Sequence, residues 1–208
     1  MKRFFISAMI TICFMWIAGC DFFDPRDYAR NLTPVDSMAV FHNLIDSYNT
    51  LDYEKYLLSI DSSSFVFIPE DSTRGIGYTP WNYSDESKLT LKMFNQLNKS
   101  RRIPPLLLQV DTTYFSANDT LAYLNANYLI LTDFSGYETL AGGLKLEIIK
   151  RGNYWYVSSW KDVTAETLFT PHIPVDSTDT VKKVDTLPPL VTTKDWSDFK
   201  VYFRTAGT

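Results

Sequence analysis

Lys150-Arg151-Gly152-Asn153-Tyr154-Trp155-Tyr156-Val157-Ser158-Ser159-Trp160-Lys161-Asp162 is the stretch on which the fold turns. Gly152 and Asn153 tolerate the positive φ that a tight hairpin needs, so two strands meet here. Trp155 and Val157 share one parity and Trp160 has the other; a bulge near Ser158-Ser159 would bring all three to one face. Upstream, the strand Glu138 to Arg151 is joined to Leu121 to Phe134 through Phe134-Ser135-Gly136-Tyr137, and Pro105 to Phe115 comes before that. Alternation places Leu124, Ala126, Tyr128 and Ile130 on one face of their strand, and Leu144, Leu146 and Ile148 on one face of the next. Gly142-Gly143 lies mid-strand and reads as a bend. From Pro104 to Val163 the chain is one long antiparallel meander.

The residues before the meander read as its cover. Thr33 suits an N-cap, Pro34 the first helical position and Asp36 the first turn. Met38, Phe41, Ile45 and Tyr48 then recur at helical spacing, with Leu44 beside them, and the helix should end near Asn49-Thr50. Asp52 caps a shorter helix with Tyr53, Tyr56, Leu57 and Ile60 as its stripe. Phe65-Val66-Phe67-Ile68 is a short strand. Ser84 caps a third helix to about Leu97, with Asp85 and Glu86 in its first turn and Leu89, Met93, Phe94 and Leu97 inward. The order predicts an α+β fold, three N-terminal helices packed on a strongly curved antiparallel sheet.

Two patterns carry a family resemblance over about Thr33 to Val163. They are Ser47-Tyr48-Asn49-Thr50-Leu51-Asp52-Tyr53-Glu54-Lys55-Tyr56-Leu57 and the hairpin from Lys150 to Asp162. With the element order they resemble the nuclear transport factor 2-like superfamily, which includes ketosteroid isomerase and the SnoaL-like polyketide cyclases. The resemblance implies a cone whose concave face and first helix enclose a pocket. It is almost silent on function, because the fold hosts enzymes, carriers and assembly modules.

Phe41, His42, Ile45, Tyr48, Tyr56, Tyr128 and Trp155 are the candidate pocket lining, against the plainer reading that such side chains fill the core. His42, with Asp46 one turn on, is the one plausible acid/base near a pocket. The isomerase-type tyrosine and two carboxylates cannot be matched: the inward positions of the middle strands are apolar, and no acid falls where an oxyanion partner would be needed. Asp111 and Glu147 read as outward. The spacing of His42 and His172 makes no zinc site, and Gly75-Ile76-Gly77 lacks the context of a phosphate loop. No catalytic residue, metal or cofactor is assigned.

The N-terminus speaks to location. Lys2 and Arg3 precede an uncharged run from Phe4 to Ile17, which is short for a membrane span. Ile17-Ala18-Gly19-Cys20 resembles the lipobox of bacterial lipoproteins. That resemblance implies a signal peptide over 1–19, diacylglyceryl attachment and acylation at Cys20, and a lipid anchor in the cell envelope, inner or outer membrane unresolved. Residues 20–32 then read as a tether and 33–163 as the domain. Cys13 and Cys20 are the two cysteines of the 208-residue chain, so a mature body would carry no free thiol. Net charge is −4, which argues against a nucleic-acid partner.

Residues 164–195 are rich in Thr, Pro, Asp and Ser and read as a linker. Residues 196–208 open with Trp196-Ser197-Asp198-Phe199-Lys200-Val201-Tyr202-Phe203, whose alternation suggests an extra strand docked on an edge of the sheet or on a second copy in a homodimer. Two functions stay open. One is a non-catalytic binding or assembly module for a small apolar ligand or a protein partner. The other is a small isomerase, dehydratase or cyclase-type enzyme, favoured if His42 and a carboxylate meet in a polar cavity.

Overall fold

A computed structural model describes residues 34–75, 77–100, 103–165 and 194–205, with Ser72 described in its backbone alone. The expected signal peptide and tether, Cys20, Thr33 and most of the expected linker lie outside them. No helix among the described residues is long and apolar enough to cross a membrane.

The fold is α+β, as expected. Helix α1 is Ser37–Thr50, α2 is Tyr53–Leu58, strand β1 is Val66–Ile68, β2 is Trp81–Asn82 and α3 is Tyr83–Leu97. The meander follows as β3 (Leu106–Ala117), β4 (Leu121–Thr132), β5 (Thr139–Arg151) and β6 (Tyr154–Val163), and the chain ends in helix α4, Trp196–Thr205. The six strands form one curved sheet in the order β2-β1-β6-β5-β4-β3, with β1 parallel to β6 and every other neighbour antiparallel.

Local chemistry sets the helix ends, with two shifts from expectation. The N-cap of α1 is Asp36, whose side chain accepts from the Ala39 N–H at 2.7 Å, so this helix starts three residues later than a Thr33 cap would give. Asn82 rather than Ser84 caps α3. Asp52 caps α2 as expected. At the end of α1, Leu51 takes a left-handed conformation, and its N–H and that of Asp52 close on Tyr48 O and Ser47 O.

The core sits between α1, α3 and the concave face. Leu124, Ala126, Tyr128 and Ile130 point inward from β4, and Leu144, Leu146 and Ile148 from β5. The bulge lies where expected: Glu147 pairs with Ser159 while Ile148 pairs with Val157, leaving Ser158 as the extra residue. Trp155, Val157 and Trp160 are therefore all buried, and Asp162 follows Trp160 inward.

The C-terminal segment is a helix rather than a strand. Asp195 and Asp198 form a reciprocal cap: Asp195 Oδ1 accepts from the Asp198 N–H at 2.8 Å, and Asp198 Oδ2 from the Asp195 N–H at 3.2 Å. Trp196, Phe199, Lys200 and Phe203, at helical spacing, are buried. The segment docks on its own domain, against α1, α3 and the inward face of the sheet, instead of a sheet edge. Its entry point is fixed too. The chain leaves the sheet with Val163 paired to Gly143, and Lys194 returns to accept the Ala141 N–H at 3.3 Å. Exit and return are two residues apart along β5, about 7 Å.

Candidate functional site

Two buried polar clusters meet under α4. In the first, Lys200 Nζ lies 2.6 Å from Glu86 Oε1, and both side chains are fully buried. Glu86 reaches this place because it is one turn before Leu89 and Thr90 on the inward stripe of α3. Its Oε1 also accepts from Tyr56 Oη at 2.5 Å and Thr90 Oγ1 at 3.1 Å, and its Oε2 from Trp81 Nε1 at 2.6 Å. Aromatic rings enclose the ammonium: Nζ is 4.3 Å from the Phe67 and Trp160 ring centres, 5.8 Å from Tyr56 and 5.9 Å from Trp196. Burial pushes the Lys200 pKa down, against the opposing attraction of Glu86.

The second cluster lies at the N-terminus of α4. Asp162 Oδ1 accepts from Tyr128 Oη at 2.8 Å, and its Oδ2 accepts from the Ser197 N–H at 2.6 Å and Ser197 Oγ at 2.5 Å. Tyr128 Oη in turn accepts from the Trp196 N–H at 2.8 Å. The tyrosine fits because residue 142 is glycine; a Cβ there would stand 2.4 Å from the phenol oxygen. Burial pushes Asp162 up to about 6, although the Ser197 and Tyr128 hydrogen bonds pull it down. Burial, helped by the charge of Asp162, pushes Asp195 up to about 7.

A polar rim closes the edge. Arg74 bridges to Asp195 at 2.8 Å and Asp198 at 3.3 Å, Tyr78 Oη donates to Asp198 at 2.5 Å, and Arg204 donates to Gly77 O and Thr79 O, both at 2.8 Å.

Three of the seven expected lining residues converge here. Tyr48 meets Tyr56 edge-on at 5.4 Å and Trp196 at 4.8 Å, and Tyr128 meets Trp196 at 5.0 Å. Phe41 is buried two turns before Tyr48, Ile45 is half-buried, and Trp155 packs near the start of α1, donating its N–H to Pro34 O. His42 is exposed on α1, because its position falls off the buried stripe; Asp46, also exposed, pairs with Lys55. Sequence reading missed Glu86, Asp162, Trp196 and Lys200. Sequence reading had the inward positions of the middle strands apolar and no acid where an oxyanion partner would be needed; the acid that does meet the inward Tyr128 is Asp162, on the last strand. Among the described residues no group of three or more His, Cys, Asp or Glu side chains could hold a metal ion. On the outer face, an open groove of about 710 Å³ runs past Val66, Ile68, Leu121, Glu147 and Ile149.

No protein-family model and no curated protein matches the chain. Solved structures similar to it include an NTF-2-like protein of unknown function from Shewanella oneidensis, at 13% identity and a TM-score of 0.46, covering 61% of this chain and 94% of that one. A cystatin-like fold of unknown function from Nostoc punctiforme matches at 14% identity and 0.44, covering 66% and 90%. A conserved protein from Planctomyces limnophilus matches at 12% and 0.47, covering 62% and 92%.

Proposed function

We propose that the chain is a lipid-anchored protein of the bacterial envelope whose cone is a non-catalytic binding module. The observation that carries the non-catalytic reading is the occupancy of the cone mouth. Trp196 and Lys200 of the chain's own helix sit fully buried against the inward rings Tyr48, Tyr128 and Trp160. Both inward carboxylates are engaged: each oxygen of Glu86 and of Asp162 accepts at least one protein hydrogen bond. A general base needs an acceptor within reach of a substrate proton, and both carboxylates are fully buried while α4 is seated. The enzyme reading would be favoured by His42 beside a carboxylate in a polar cavity, and His42 faces solvent.

The anchor rests on Ile17-Ala18-Gly19-Cys20 alone. Cells expressing the wild-type chain and Cys20→Ala are fed an alkyne-tagged fatty acid and fractionated. Label on the wild type in the membrane fraction, and none on Cys20→Ala, is the expected result. Equal labelling or equal partition of the two chains overturns the anchor.

A further inference from the structure

The contact between α4 and the cone is built like an interface between two molecules. Its centre is apolar and aromatic, with Trp196, Phe199, Lys200 and Phe203 of α4 buried against the rings of Tyr48, Tyr56, Phe67, Tyr128, Phe134 and Trp160. Its rim is polar, held by Arg74 on one side and Arg204 on the other. At the centre stands an ammonium in a box of rings with a carboxylate as its floor, the arrangement that selects a cation from other ligands. A fully buried ion pair is a weak source of stability compared with apolar side chains of the same volume, and its best-attested use is to specify what fits. Trp160 Nε1, in the wall of the box, is buried with no acceptor among the described residues. The entry of α4 is separable from the sheet as well, since the chain leaves and returns about two residues apart on β5 and β6 is complete before it leaves.

We infer that the cone mouth is a recognition site for a lysine carried on a short amphipathic helix, and that α4 fills it in cis. The partner it fits is a helical segment with aromatic residues at i and i+3, lysine at i+4 and a further aromatic at i+7, the pattern of Trp196, Phe199, Lys200 and Phe203. Such a segment exchanges with α4. Trp at i fills the space between Tyr48, Tyr128 and Trp160, and lysine at i+4 reaches Glu86. The inference rests on the reading of the domain as a binding module and adds the chemistry of what it binds.

The test uses the full chain with a site-specific protease sequence placed between residues 166 and 193. After cleavage, domain and tail are both present but no longer joined. A fluorescent synthetic peptide of residues 194–208 is added, beside the same peptide carrying Lys200→Met. The expected result is saturable uptake of the first peptide, reversed by its unlabelled form, with the Lys200→Met peptide at least tenfold weaker. On a Glu86→Gln domain the preference for lysine should disappear. A cleaved protein that keeps its fold yet takes up no peptide overturns the inference, and so does one that unfolds on cleavage. Equal binding of the two peptides to the wild-type domain shows that lysine is not what is read, and overturns it too. Equal binding of both peptides would leave the binding-module reading standing while this inference falls, whereas no uptake by a folded domain would count against both.

Discussion

The middle and the N-terminus of α4 both bury charge, and they do it in opposite ways. In the middle, Lys200 and Glu86 neutralise each other at 2.6 Å. At the N-terminus, Asp162 has no ion pair among the described residues; its oxygens rest on the Ser197 N–H, two hydroxyls and the positive end of the helix. The first arrangement is all-or-none, because either partner left alone is a buried charge without a counterion. The second is graded, because a carboxylate held by neutral donors can take up a proton and stay in place. Burial has accordingly pushed Asp162 up to about 6.

The largest expected effect breaks the first arrangement. Glu86→Ala should cost about 3–5 kcal/mol in urea unfolding, since it strands the Lys200 ammonium in an aromatic box. Lys200→Met should also destabilise, and the Glu86→Ala, Lys200→Met double variant should lose less than the two single losses added together. Strict additivity would mean that the pair is not coupled. Trp196→Ala should cost a similar 3–5 kcal/mol through the cavity it leaves among Tyr48, Tyr128 and Trp160; a loss below about 1 kcal/mol would place the indole outside the core.

The second arrangement should show in pH. Asp162 and Asp195 have raised pKa values, about 6 and about 7, so between the ordinary value of 3.8 and those values the folded state holds protons that the unfolded state gives up. Their contribution therefore falls as pH rises through this window. From pH 5 to pH 8 the free energy of unfolding should drop, by roughly 1 kcal/mol for Asp162, since one of the pKa units by which it is raised lies inside this range. Asp61 and Glu70, whose pKa values are lowered, are ionised in both states over that range and do not mask the slope. Asp162→Asn should flatten it, and an unchanged slope would refute the assignment. The smallest expected effect is that of joining Ala165 to Lys194 through a few Gly-Ser residues. With exit and return so close on β5, the melting temperature should hold within a few degrees. A large fall would show that residues 166–193 hold α4 in place.

Much of this frame was legible because its signals are local. Strand parities, the cap at Asp52 and the bulge at Ser158 each depend on a few neighbouring residues. The tail misled because Trp196 to Phe203 alternates as a strand does while also repeating at helical spacing; the reciprocal cap of Asp195 and Asp198 was the signal that separates the two. Asp162 was within reach of the same logic, lying two residues beyond Trp160 on the inward parity. Glu86 was harder. An acid in a first helical turn usually faces water, and the lysine that makes its burial tolerable lies 114 residues further along the chain. No local pattern announces such a partner.

One small contact has a practical consequence. The side-chain amide of Asn49 accepts from the Leu108 N–H at 2.6 Å and donates to Leu108 O at 3.3 Å, standing in for a neighbouring strand at a single residue of β3. Beyond it, residues 111–117 of the same edge are exposed, with Tyr114 and Phe115 among them and Asp111 as their single charge. Concentrated stocks of this protein should therefore age by edge-to-edge strand addition rather than by loss of the core, and added salt should do little to slow it.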